Sequence, residues 1–190
     1  MDYRFWTSRI GVLPDGLLSC LRQAADGLPY GKNKSFNPVD SFDSYKARTN
    51  VAFETQVQLV VDWLIGKDLF TKEDLLYYEV NRLGGGGLIK EHTDMYGPLS
   101  GRSGVCLTHK IHIPLECTGS GHRHRRTKYM PKEQSVLEAG SVYMYNNYVW
   151  HEAYNDGVDA RREITLCMWD KQWANKLKFY NMIGLTGDGY

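Results

Sequence analysis

Apolar and polar positions change their spacing partway along this chain. Up to about residue 70 they recur at helical intervals. Leu17, Leu18, Leu21, Ala24, Ala25 and Leu28 form one stripe, which Pro29 and Gly31 stop. Val57, Val60, Val61 and Leu64 follow at i, i+3, i+4 and i+7, predicting a second helix over Phe53 to Ile65 whose apolar stripe packs against a core. Residues 31–50 between them read as a polar loop rich in turn formers.

From Leu75 onward the texture becomes that of strands. Leu76 to Leu83 is aromatic and β-branched and ends at four glycines, Gly84 to Gly87. Val105 to Leu115 is predicted to be a strand closed by Pro114, and Gly140 to Trp150 and Arg161 to Trp169 supply two more. Short strands joined by turns such as Asn155-Asp156-Gly157, with no helix between them, argue for an antiparallel sandwich or jelly roll. The expected layout is one mainly β domain: residues 1–74 a helical buttress, 75–170 the jelly-roll core, 171–190 a tail.

Composition narrows the function classes. Lys plus Arg number 23 against 22 for Asp plus Glu, so no global charge marks a polyanion-binding protein. The four cysteines, Cys20, Cys106, Cys117 and Cys167, form no CxxC pair, which speaks against a structural zinc site or a disulfide scaffold and for free thiols. No apolar run reaches the roughly 18 residues of a membrane span, and the N-terminus does not read as a signal peptide. A soluble cytoplasmic protein is the expectation.

The candidate chemistry lies in Glu91-His92-Thr93-Asp94, read with Trp150-His151-Glu152. In an extended segment residues i and i+2 point the same way, so His92 and Asp94 could aim an imidazole and a carboxylate at one point. His151, at a strand end, is the natural third ligand. Two histidines and a carboxylate on one face leave positions open, the arrangement of non-haem iron(II) oxygenases, although zinc accepts the same donors. Arg161 begins a strand in which Arg161, Glu163 and Thr165 share a face. Lys110 and His112 share the polar phase of a strand whose other phase carries Ile111 and Ile113. Two cationic side chains beside a metal suit a chelating dicarboxylate such as 2-oxoglutarate.

Taken together, these residues resemble the aspartyl/asparaginyl β-hydroxylase family. The likeness runs through Asn81-Arg82-Leu83 and its glycines, His92-Thr93-Asp94 and Lys110-Ile111-His112-Ile113-Pro114-Leu115. It continues through Tyr145-Asn146-Asn147, His151, Asn155, Gly157 and Arg161. It spans about residues 75–170. The resemblance implies a double-stranded β-helix, a cupin-like jelly-roll barrel. It implies an iron(II)- and 2-oxoglutarate-dependent dioxygenase that uses O2 to hydroxylate an amino-acid or peptide side chain, Asp or Asn at the β position first of all. Carried over, His92, Asp94 and His151 would bind iron. Arg161 would hold the distal carboxylate of 2-oxoglutarate, with Asn81, Lys110 and His112 lining the pocket and Asn146 and Asn147 shaping the strand end beside the iron. The family commonly has arginine where Lys110 stands. Arg162 could exchange roles with Arg161, but spacing from His151 favours Arg161.

Gly119 to Tyr129 reads as an insertion-like loop carrying Arg123, Arg125, Arg126 and Lys128, with His122 and His124 solvated within it. Its bland reading is a flexible surface loop. Its functional reading is a lid for an acidic substrate or a nucleic-acid contact, which keeps open an oxygenase of nucleobases. A non-catalytic jelly-roll module holding a structural metal is the other alternative.

Overall fold

The computed structural model describes residues 7–32, 42–46, 51–67, 71, 75–92, 109–117, 119–125, 129, 131–146 and 150–168. Strand β1 (Thr7–Val12), helix α1 (Asp15–Asp26), strands β2 (Gly31–Lys32) and β3 (Phe42–Lys46) and helix α2 (Val51–Ile65) come first. Strands β4 (Leu75–Leu83), β5 (Leu88–His92), β6 (His109–Glu116) and β7 (Ser120–Arg125) follow. The order ends with β8 (Glu133–Val136), β9 (Ser141–Asn146), β10 (Trp150–Asn155) and β11 (Arg161–Met168).

The strands form a seven-stranded sheet, β1-β9-β6-β11-β4-β3-β2, and a four-stranded sheet, β5-β10-β7-β8. Every pairing is antiparallel. From β4 onward the chain passes back and forth between the two sheets, which winds it into the expected jelly roll. Among the described residues no helix is long and apolar enough to cross a membrane.

Alternation along the central strands explains how one sheet serves two interiors. Ile111, Ile113 and Leu115 of β6, Ile164 and Leu166 of β11 and Val80 of β4 are buried in one apolar cluster with the helices. The helices answer with Leu18, Leu21 and Ala25 of α1 and Phe53, Val57, Val60, Val61 and Leu64 of α2. The opposite phase of the same strands carries Asn81, His112, Arg161, Glu163 and Thr165. That polar face looks towards the four-stranded sheet, where Ile89 and Ala153 close a small second cluster with Leu83.

Several expectations change. Residues 31–50 do not form only a loop: β2 and β3 extend the large sheet, β3 pairing with β4 from Phe42–Leu83 to Lys46–Glu79. Strand β1 pairs with β9 at the other edge, so the first 74 residues contribute strands as well as helices. Edge pairing of this kind is directed by the open ladder of the neighbouring strand, and polar segments accept it. Pro114 does not close its strand, which continues to Glu116. It stands at a bulge in the β6–β11 ladder and past the last β6–β9 pair, His112 with Tyr143, where a missing N–H is tolerated. Gly140 to Trp150 divides into β9 and the start of β10, which belong to different sheets. Residues 93–108, Asn147 and the tail 171–190 lie outside the described residues.

The glycine run has a packing reason. A Cβ on Gly85 would stand 2.3 Å from the Val158 carbonyl oxygen, and Gly86 has φ +69°. The turn after β10 lies directly over this run. Asn155 ties the two together, its amide donating to the carbonyls of Leu83, Gly84 and Asp159 at 2.9, 3.1 and 2.8 Å.

Candidate functional site

The inner face of the four-stranded sheet carries a row of imidazoles. His151 of β10 lies in register with His92 of β5 on one side and with His124 of β7 on the other. The rings of His92 and His151 are 4.4 Å apart between centroids. His92 Nδ1 donates to its own strand's Lys90 carbonyl at 2.7 Å, which leaves the ring lone pair on Nε2 and holds the ring in place. Asp94 lies outside the described residues.

The strand β11 brings the second half of the site. Arg161 is 3% exposed. Its Nη1 donates to the carbonyls of Gly121 at 3.0 Å and Tyr154 at 3.3 Å. Its Nη2 donates to His122 Nε2 at 2.9 Å and to a carboxylate oxygen of Glu163. Because a guanidinium only donates, His122 Nε2 must be the acceptor. The other Glu163 oxygen faces His112 Nδ1 at 3.2 Å. Arg162, one residue on, points to the opposite side and ties β6 to α1 through Glu116 and through Asp26 at 2.6 Å. The two arginines thus have different duties, with Arg161 alone turned towards the interior.

Asn81 lies across the β4–β11 ladder from Glu163. Its amide donates to Thr165 Oγ1 at 3.1 Å, while its Oδ1 is buried with no partner among the described residues. Asn81, Leu83, Ile89, Ala153, Arg161 and Glu163 line a cavity of about 10 Å3, room for about one water. Lys110 is half-buried, two residues from His112 on the same phase of β6. Asn146 ends β9 opposite His109.

No protein-family model and no curated protein matches this chain. Solved structures do. A 2OG-Fe(II) oxygenase family protein from Burkholderia pseudomallei is similar at TM-score 0.60 and 16% identity, over 80% of this chain and 76% of that one. A prolyl hydroxylase from Trichoplax adhaerens, solved with a hypoxia inducible factor peptide fragment, matches at TM-score 0.63 and 12% identity, over 90% and 86%. HygX from Streptomyces hygroscopicus, solved with nickel and 2-oxoglutarate bound, matches at TM-score 0.63 and 12% identity, over 87% and 82%. The fold is that of the 2-oxoglutarate/iron(II) oxygenases. At such low identity the likeness concerns the fold alone.

Among the described residues two donor sets could hold a metal. One is His92 with His151. The other is His112, His122 and Glu163, whose ligand atoms all lie within 4.8 Å of one another. Arg161 weighs against the second set, since its Nη2 bonds both His122 and Glu163. A dication about 4 Å from that guanidinium would meet a repulsion of about 8 kcal/mol at an effective dielectric near 20. The buried cluster is a charge-compensated network. The first set, with one ring oriented by a backbone carbonyl, fits a metal ion.

The basic segment is not a loop. Ser120 to Arg125 form β7, in the middle of the small sheet between β10 and β8. His122 and His124 are 2% and 4% exposed, not solvated. The strict alternation His122-Arg123-His124-Arg125 carries the signal: imidazoles point inward, guanidiniums outward. On the outer face Arg123 meets Glu152 at 3.3 Å and stacks over the Tyr154 ring, Arg125 bonds Glu91, and Lys132 meets Glu152 at 2.6 Å. Those charges are balanced by neighbouring carboxylates. Arg126 and Lys128 lie outside the described residues.

Burial pushes the His122 imidazole well below its ordinary value of 6.5, and the charges of Arg161 and His112 act in the same direction while Glu163 opposes them. Glu163 is held well below the usual carboxylate range: burial alone would raise it, but Arg161, His112 and His122 outweigh that. For His122 the unfolded chain binds a proton that the folded chain refuses, at any pH between its depressed value and about 6.5. Stability therefore falls as pH drops below about 6.5. Urea midpoints at pH about 7.5 and 5.5 should show this loss, and His122→Gln should reduce it. Equal loss in both proteins would exclude His122 as its source.

Proposed function

We propose that this chain is an iron(II)- and 2-oxoglutarate-dependent oxygenase that hydroxylates an amino-acid or peptide side chain. The observation that carries this reading is the pairing of His92 and His151, with ring centroids 4.4 Å apart, inside the same barrel that buries Arg161. The fork of Arg161 already holds one carboxylate, that of Glu163, and its geometry suits another in the same place. That HygX, of the same fold, was solved with nickel and 2-oxoglutarate bound supports the same co-substrate here.

In this reading His92, His151 and Asp94 would hold the iron, and Arg161 would hold the distal carboxylate, with Asn81, Lys110 and His112 around it. Iron and 2-oxoglutarate together supply an oxidant made from O2, strong enough to hydroxylate a C–H bond. The protein's own share is placement. The Lys90 carbonyl fixes the His92 ring, and the ladder between β5 and β10 sets the two imidazoles side by side. Packing around Arg161, 3% exposed, keeps bulk water from the acid's end of the site, where a charge-assisted hydrogen bond is strongest.

The finer reading, hydroxylation of Asp or Asn at the β carbon, rests on the motif order from Asn81 to Arg161. The peptide-bound prolyl hydroxylase of the same fold adds peptidyl proline to the substrates worth testing. Purified protein with Fe(II), 2-oxoglutarate and peptides containing Asp, Asn or Pro should release succinate only when iron is present, and one peptide should gain an oxygen atom. Turnover with oligonucleotides alone would favour a nucleobase oxygenase. Absence of succinate under every condition would make the chain a binding module.

A further inference from the structure

Arg161 already holds a carboxylate. The four hydrogens on its two terminal nitrogens are all used within the protein, on Gly121, Tyr154, His122 and Glu163. The cavity beside it, about 10 Å3, has no room for a diacid while Glu163 keeps its place. Glu163 has a second partner at hand, since its other oxygen faces His112 at 3.2 Å. The side chain can therefore let go of Arg161 and stay paired.

We propose that Glu163 determines co-substrate specificity, as an internal carboxylate that an incoming dicarboxylate must displace from Arg161. This rests on reading the interior as a 2-oxo-acid pocket. With Glu163 in place the charge of Arg161 is already balanced, so a distal carboxylate exchanges one ion pair for another and gains little. A 2-oxo acid without that carboxylate leaves the Arg161–Glu163 pair intact. The chain thus discriminates weakly between the two kinds of acid.

The test is binding rather than turnover: titration calorimetry under argon, with Fe(II) present, using 2-oxoglutarate and 2-oxobutyrate. In the natural protein the ratio of their affinities should be under about tenfold, less than one charge-assisted hydrogen bond normally provides. Glu163→Gln should tighten 2-oxoglutarate by about tenfold or more and leave 2-oxobutyrate within about threefold. Glu163→Asp, which draws the carboxylate back, should fall between. If Glu163→Gln does not fold, the ratio in the natural protein decides. A preference of about a hundredfold for 2-oxoglutarate there, or an unchanged ratio in the variants, would overturn the proposal and leave the oxygenase reading standing. Failure of both acids to bind would overturn both.

Discussion

His151→Ala is expected to weaken Fe(II) binding by at least about a hundredfold, since even changes outside the ligand shell cost 10–100-fold. His151 is 7% exposed and stands in register between His92 and His124, so under the proposed assignment its loss removes a ligand that no described neighbour on β10 can replace. His92→Ala should act the same way. His122→Ala, in the cluster around Arg161, should leave metal affinity within about tenfold. Anaerobic titration with Fe(II) followed by dialysis and metal analysis distinguishes these cases. The reverse ranking would move the metal to His112, His122 and Glu163.

The second large effect falls on the buried ion pair. Arg161→Met should destabilise the fold by about 3–5 kcal/mol, because it leaves Glu163 buried without its guanidinium. The cost lies in the orphaned carboxylate more than in the lost attraction. Arg161→Met combined with Glu163→Leu should therefore recover most of the loss while still failing to distinguish 2-oxoglutarate from 2-oxobutyrate. Urea unfolding of the single and double variants checks the first part. If the double variant is no more stable than Arg161→Met, the pair is not the origin of the effect.

Much of this was legible in the sequence because period and phase were clean. The stripes of α1 and α2 appear at their helical spacing, and the phases of β6 and β11 separate an apolar from a polar face as the alternation of Ile111, Ile113 and Ile164 against His112, Arg161 and Glu163 requires. That Arg161 rather than Arg162 faces the interior follows from the same phase. What was not legible depends on partners distant in sequence. Glu163 could be placed on the face of Arg161, but that it fills the guanidinium fork follows from contacts with Gly121, His122 and Tyr154. The strand at Ser120 to Arg125 was hidden because six polar or glycine residues carry none of the usual β-branched signal. Its neighbours supply burial that its own composition does not suggest. Strands β2 and β3 lie at a sheet edge, where the ladder of β4 rather than their own pattern gives them structure.

Strand β10 is paired along both edges, with β5 and β7. It carries His151 near its start, and Arg161 donates to the Tyr154 carbonyl near its end. Three residues of extended chain separate those points, about 10 Å. The strand is thus a ruler: it fixes how long a molecule must be to touch imidazole and guanidinium together. A ruler graduated in residues cannot be adjusted finely. Removing one residue between His151 and Tyr154 would shorten the reach by about 3.3 Å and reverse the facing of one end relative to the other, so the length of the proposed acid could change only in whole steps.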